Sequence, residues 1–85
     1  MGIFSGIAMA VTGKVLNQID TPIMDGACEV SLRLKQKNNE SNAYVVLAGI
    51  AAENYQYYPM KAEEFVQFAD AVQVIKNQLL SMSKK

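Results

Sequence analysis

The feature that most restricts the fold of this chain is a change of hydrophobic period near Pro59. From Cys28 to Lys35, apolar and polar residues alternate with period two, which is typical of a half-buried β-strand. After Lys61 the apolar residues are spaced by three and four, at Phe65, Phe68, Val72, Ile75, Leu79 and Met82. This spacing places one apolar stripe along a helix of about six turns. The sequence therefore predicts an α+β fold in which strands precede one long helix.

Turn residues divide the part before the helix into about four strands. Asp25-Gly26 suits a two-residue hairpin turn, and the polar segment 37–42 predicts a second turn, of two or four residues. Glu53-Asn54 predicts a third turn, and Pro59 is expected to end the last strand. Pro22 cannot donate to a central ladder, so the first strand is placed at a sheet edge. We expect an antiparallel β-meander over residues 14–60, with a C-terminal helix over 61–83 packed on one face.

The 85 residues form a single predicted domain, 1–85, whose segment 1–13 fits a helix or a strand equally well. The chain has no histidine and only one cysteine, Cys28, which excludes zinc clusters, disulfide frameworks and Ser-His or Cys-His couples. The side chains of Glu63 and Glu64 are adjacent on a helix and therefore point in different directions, which excludes a catalytic pair. Compensation of the helix dipole is the better explanation for both residues. We assign no catalytic residue, metal or cofactor to this sequence. No apolar stretch approaches the ~20 residues that a membrane-spanning helix needs. A non-enzymatic cytoplasmic protein is expected.

The register of the meander follows from the lengths of its turns, because an odd-length turn would exchange the faces of every later strand. A two-residue turn at Asp25-Gly26 sets Gln18 opposite Arg33. With even turns, one face, the leucine face, is the expected core beneath the helix and carries Val30, Leu32, Leu34, Val45, Leu47, Ala51 and Tyr58. The opposite face, the basic face, carries Lys14, Arg33, Lys35, Lys37, Tyr44, Val46, Ile50, Tyr55 and Tyr57.

The basic face predicts a surface for single-stranded DNA or RNA, although the formal net charge of the chain is zero. Four of the eight basic residues are expected there with three of the four tyrosines. Phosphates are bound by cations and bases stack on aromatic rings. The candidate nucleic-acid-binding residues are Lys14, Arg33, Lys35, Lys37, Tyr44, Tyr55 and Tyr57. An ordinary solvated face with packed tyrosines is the other interpretation.

A second prediction is self-association. Val66, Val74 and Leu80 lie outside the helix stripe, and Val46 and Ile50 lie on the face opposite the expected core. Apolar residues in such places suit contacts between subunits, so a homo-oligomer is expected. The alternative function is therefore a protein-interaction or scaffolding domain that associates through its helix and open sheet face.

The join Tyr57-Tyr58-Pro59-Met60-Lys61-Ala62-Glu63-Glu64-Phe65, after strands and before one long helix, resembles the Whirly and Pur-alpha group of single-stranded nucleic-acid binders. The resemblance covers roughly residues 14–82 and implies oligomerisation through helices and nucleic-acid contact through the sheet. The resemblance implies that Arg33, Lys35 and Tyr44 contact the nucleic acid. The chain departs from that group in its neutral charge and in lacking a lysine-rich loop. If residues 1–13 are helical, the chain is also similar to the αβββα Alu-binding type of the signal recognition particle.

Overall fold

Four strands form one antiparallel sheet in the computed structural model, which describes residues 13–37 and 42–83. The strands are β1 (Lys14–Ile23), β2 (Cys28–Gln36), β3 (Ala43–Ala51) and β4 (Asn54–Lys61), and helix α1 spans Ala62–Ser83. Their order in the sheet is their order in the chain, so each strand pairs with the next. The predicted α+β meander with one C-terminal helix is confirmed, as is the edge position of β1. The prediction for segment 1–13 falls almost entirely on residues outside the described ones.

The first hairpin has the predicted register but a longer turn. Gln18 pairs with Arg33, as expected, and the last pair is Ile23 with Cys28. Four residues therefore connect the strands, closed by a hydrogen bond of 3.0 Å from the Ala27 N–H to the Met24 carbonyl oxygen. Three of them, residues 24–26, have φ angles of 54°, 56° and 88°. The predicted length of two was wrong, but four is also even, so the faces are preserved.

The later connections also differ from the prediction, one in length and one in position, without exchanging the two faces of the sheet. Residues 37–42 join β2 to β3, which is more than the two or four expected, and Ala52-Glu53 forms the turn to β4 instead of Glu53-Asn54. Both connections contain an even number of residues. Arg33 therefore pairs with Val46, and Lys35 pairs with Tyr44, on one face of the sheet.

A β-bulge in β1 overturns one predicted position. The register shifts between Val15 and Asn17, so that Val15 pairs with Lys35 and Lys14 pairs with Gln36. One extra residue reverses the alternation of side chains along a strand. Lys14 consequently lies on the leucine face, and its predicted place on the basic face was wrong.

The junction between sheet and helix is tighter than predicted. β4 continues through Pro59 to Lys61, because an edge strand tolerates a residue that has no N–H to donate. The expectation that Pro59 ends this strand was wrong. The Lys61 N–H donates a 2.8 Å hydrogen bond to Oε1 of Glu64, which satisfies a backbone donor at the start of α1 as half of a capping box.

The most buried part of the sheet is the basic face, which reverses the predicted core. Five buried residues belong to it by register: Ser31, Lys35, Tyr44, Val46 and Ala48. Within residues 13–37 and 42–83, Val45 is the only buried member of the leucine face, whereas Leu34 is 40% exposed and Tyr58 is exposed. Period-two alternation shows which side chains share a face, but it does not show which face becomes covered.

Helix α1 packs against the sheet through contacts with β3 and β4. Phe65 and Ala69 are half-buried, and every other residue of α1 is exposed. The rest of the predicted stripe, Phe68, Val72, Ile75, Leu79 and Met82, therefore faces solvent. The sequence predicted that the helix would cover the leucine face. The structure shows that it does not do so along its length.

Candidate functional site

Two of the predicted nucleic-acid contacts belong to the interior of the domain. Lys35 is 3% exposed and Tyr44 is 5% exposed, although both lie on the basic face. Burial lowers the pKa of Lys35 below 10.5, and the positive charge of Arg33 adds to this effect. Neither side chain is open to a nucleotide in this arrangement, so the predicted accessibility of these two positions was wrong.

The accessible part of the basic face is an aromatic pair on β4. Tyr55 and Tyr57 are two residues apart on one strand, so both side chains leave the same face. Their ring centroids are 6.4 Å apart and the ring planes differ by 6°. Both rings are exposed. The structure thus brings two predicted stacking residues together in a parallel arrangement.

Arg33 lies between this aromatic pair on β4 and strand β1, on the same face of the sheet. Its guanidinium carbon is 5.9 Å from the centroid of Tyr57, within range of a cation–π interaction. Ala48 pairs with both Ser31 and Tyr57 across the neighbouring strands. Because Ala48 has a small side chain, Arg33 can extend over β3 to reach the ring.

A chain of hydrogen bonds continues from Arg33 to β1. Arg33 Nε donates to Ser31 Oγ at 3.2 Å, and Ser31 Oγ donates to Asp20 Oδ1 at 2.6 Å. Gln18 Nε2 donates to both oxygens of Asp20, at 3.0 and 3.3 Å. We call Gln18, Asp20, Ser31, Arg33 and Tyr57 the Arg33 network. These contacts hold the guanidinium over the ring of Tyr57, so it is less free to bind a phosphate group.

The Arg33 network also carries a negative charge. The hydrogen bond from Ser31, then that from Gln18, and to a smaller extent the charge of Arg33, lower the pKa of Asp20 below 3.8. Asp20 is therefore ionised at neutral pH and weakens the positive potential around Arg33. Asp20 and Ser31 are not among the residues predicted from the sequence, although the predicted pairing of Gln18 with Arg33 implies that they pair two residues further along.

The remaining predicted residues are distributed over several places. Lys37 is exposed beyond the end of β2, Val46 is fully buried in the core, and Ile50 is half-buried. Val46 therefore packs inside its own chain and offers no surface to another subunit. Val66, Val74 and Leu80 are all exposed on α1. Of the predicted oligomerisation residues, those on the helix are the accessible ones.

The exposed side of α1 carries a row of apolar side chains. Ile75 is 62% exposed and Met82 is 73% exposed, and they continue the stripe of Phe68, Val72 and Leu79. The first turn of α1 contains Glu63 and Glu64, and on a polar side Gln73 Nε2 donates a 3.2 Å hydrogen bond to Asn77 Oδ1. No described helix combines the length and the hydropathy needed to cross a bilayer.

No protein-family model, curated protein or solved structure matches this chain. Within the described ranges, no group of three or more Cys, Asp or Glu side chains is placed to hold a metal ion. Cys28 is a half-buried free thiol on β2. The two candidate surfaces of the described chain are the α1 stripe and the Tyr55–Tyr57 pair with Arg33.

Proposed function

We propose that this protein is a non-enzymatic interaction domain that self-associates through α1. The observation that carries the proposal is the exposure of Phe68, Val72, Ile75, Leu79 and Met82 along one helix. Contiguous apolar surface of this kind marks sites of protein association, because removing it from water is favourable. The sheet supplies the folded base from which the helix is presented.

The spacing of the stripe supports a helical partner. The intervals alternate between three and four residues, which follows the heptad repeat that lets two helices keep their apolar sides in contact. Val66, Val74 and Leu80 are also exposed on α1, but they lie outside this seam. A second copy of the chain provides a partner helix with the same spacing. The free thiol of Cys28 is compatible with a reducing compartment, and we place the assembly in the cytoplasm.

Sedimentation equilibrium at tens of micromolar tests self-association. The expected mass is at least twice that of the 9.3 kDa chain. Ile75→Glu places a carboxylate in the seam and should give a monomer, because a buried unpaired charge opposes association. Gln73→Glu is the matched control, since it adds the same charge on another side of α1 and should leave the mass unchanged. A monomeric wild type, or equal behaviour of both variants, would reject the proposal.

A second candidate function is binding of single-stranded nucleic acid at Tyr55 and Tyr57. The parallel, exposed rings favour it, because every nucleobase can stack on an aromatic face. The half-buried Arg33 lies beside the pair, and Lys37 is an exposed cation of the predicted set. Asp20 opposes phosphate at the far end of the Arg33 network. This candidate therefore relies on stacking more than on phosphate contacts.

Fluorescence anisotropy with mixed-sequence single-stranded oligonucleotides at 50 mM salt separates the two candidates. Tyr55→Ala should cost ~1–3 kcal/mol of binding free energy by removing a stacking ring. Tyr58→Ala is the control, because Tyr58 is an exposed tyrosine on the other face of the same strand. Absence of binding by the wild type, or equal losses in both variants, would leave the helix as the functional surface.

A further inference from the structure

We propose that two copies of this chain pair through α1 in an antiparallel orientation, about a two-fold axis that crosses the helix between Val72 and Ile75. The proposal rests on the self-association proposed above and adds the orientation and register of the pair. A two-fold pair uses the same patch on both subunits, so the patch must be complementary to its own reversed copy. The stripe of α1 satisfies this condition in its spacing and in its charges.

The spacing of the stripe reads the same in both directions. Starting from Phe65 or from Met82, the intervals are three, four, three, four and three residues. An antiparallel copy therefore places Phe65 beside Met82, Phe68 beside Leu79, and Val72 beside Ile75 of the other helix. Every stripe residue has an apolar partner in this register, and no layer is left incomplete. All six positions lie within α1 as the structure defines it.

The charges of α1 select this orientation over the parallel one. Glu63, Glu64 and Asp70 lie in its first half, and its second half carries Lys76 as its single charged residue. The sequence then continues with Lys84-Lys85. An antiparallel pair brings the acidic half of each helix beside the basic half of the other, whereas a parallel pair brings like charges together. Opposite charges across an interface fix register and exclude the wrong alignment.

The attachment of α1 to its own sheet agrees with the same arrangement. Phe65 is half-buried and Ala69 is half-buried, so the first turns retain exposed area beside the sheet. In the antiparallel pair the C-terminal turns of the second helix cover this area. Met82, which is 73% exposed in the single chain, then lies against Phe65. The two sheets are carried to opposite ends of the helix pair.

Spin labels on polar positions test the orientation without altering the stripe. Single cysteines replace Gln73, near the proposed axis, or Ser81, near the end of α1, in a Cys28→Ser background that removes the only native thiol. At 1.5 Å per residue, the two Gln73→Cys labels are offset by about 2 Å along an antiparallel pair, and the two Ser81→Cys labels by about 22 Å. A parallel pair has no such offset at either position.

Pulsed dipolar spectroscopy on the full chain then gives the two inter-subunit distances, and sedimentation of the same samples gives their mass. A dimer with a clearly longer Ser81→Cys distance supports the antiparallel pair. A dimer with nearly equal distances at both positions overturns it and leaves self-association intact. A monomer at tens of micromolar overturns the proposed function itself. Unlabelled Cys28→Ser chain is the control that the background change does not alter the mass.

Discussion

Val46 and Leu34 together decide which face of the sheet holds the core. Val46 is 0% exposed and belongs to the core cluster with Tyr44, whereas Leu34 on the opposite face is 40% exposed. Val46→Ala removes two buried methyl groups at about 0.8 kcal/mol each, and the cavity raises the total to about 2 kcal/mol. Leu34→Ala removes a larger group from a half-solvated position, and we expect a cost of about 1 kcal/mol. The smaller deletion should therefore be the more damaging one.

Thermal unfolding followed by circular dichroism, at one fixed protein concentration for all samples, measures this difference. In a domain of this size 1 kcal/mol corresponds to roughly 4–8 °C in Tm. Val46→Ala should lower the Tm by about 8–16 °C, and Leu34→Ala by about half as much. A fixed concentration is needed because association stabilises the folded chain by mass action. A larger loss for Leu34→Ala would refute the assignment of the core to the basic face.

Two further predictions concern a strained turn and a carboxylate. Gly13 and Gly26 have φ angles of 84° and 88°, but a Cβ on Gly13 would lie 2.7 Å from Tyr44 Oη, whereas Gly26 has no atom within 4 Å. In chemical denaturation, Gly26→Ala should lower the free energy of unfolding by about 1 kcal/mol, and Gly13→Ala should lower it by more. Equal losses would contradict the expected clash with the Tyr44 hydroxyl. Because the pKa of Asp20 is lowered in the folded chain, its carboxylate stabilises the fold above pH 3.8, and this contribution is lost as the pH falls through the lowered pKa. Ser31→Ala should move the Asp20 pKa back towards 3.8 in a carbon-13 NMR titration; an unchanged midpoint would contradict the role of the hydroxyl.

The elements and their pairing could be predicted because they depend on local patterns. The alternation from Cys28 to Lys35 predicted β2, and the spacing from Phe65 to Met82 predicted α1. The faces were also preserved despite errors in the length of the first two connections and in the position of the third, because each connection remained even. The bulge after Val15 could not be predicted, because no residue pattern marked it, and it moved Lys14 to the other face.

Burial depends on what lies over a face, and this limited the prediction of the site. Leu34 was assigned to the core for its hydrophobicity, while Lys35 was assigned to the surface for its charge. The structure reverses both, because long side chains such as Lys35 can pack their methylene groups inside. Tyr55 and Tyr57 were placed correctly, since the end of an edge strand stays open. Ser31 carried no functional signal alone and became informative only through its pairing with Asp20.

The bulge and the proline in β1 have a consequence for colloidal behaviour. β1 lies at the edge of the sheet and is exposed over all ten of its residues, so its outer side is a template on which a further strand could add. The irregularity before Asn17 and the missing N–H of Pro22 confine the regular part of that edge to residues 17–21. Asp20 puts a charge within this stretch. The domain can therefore expose a long edge strand while discouraging the growth of sheets from one molecule to the next.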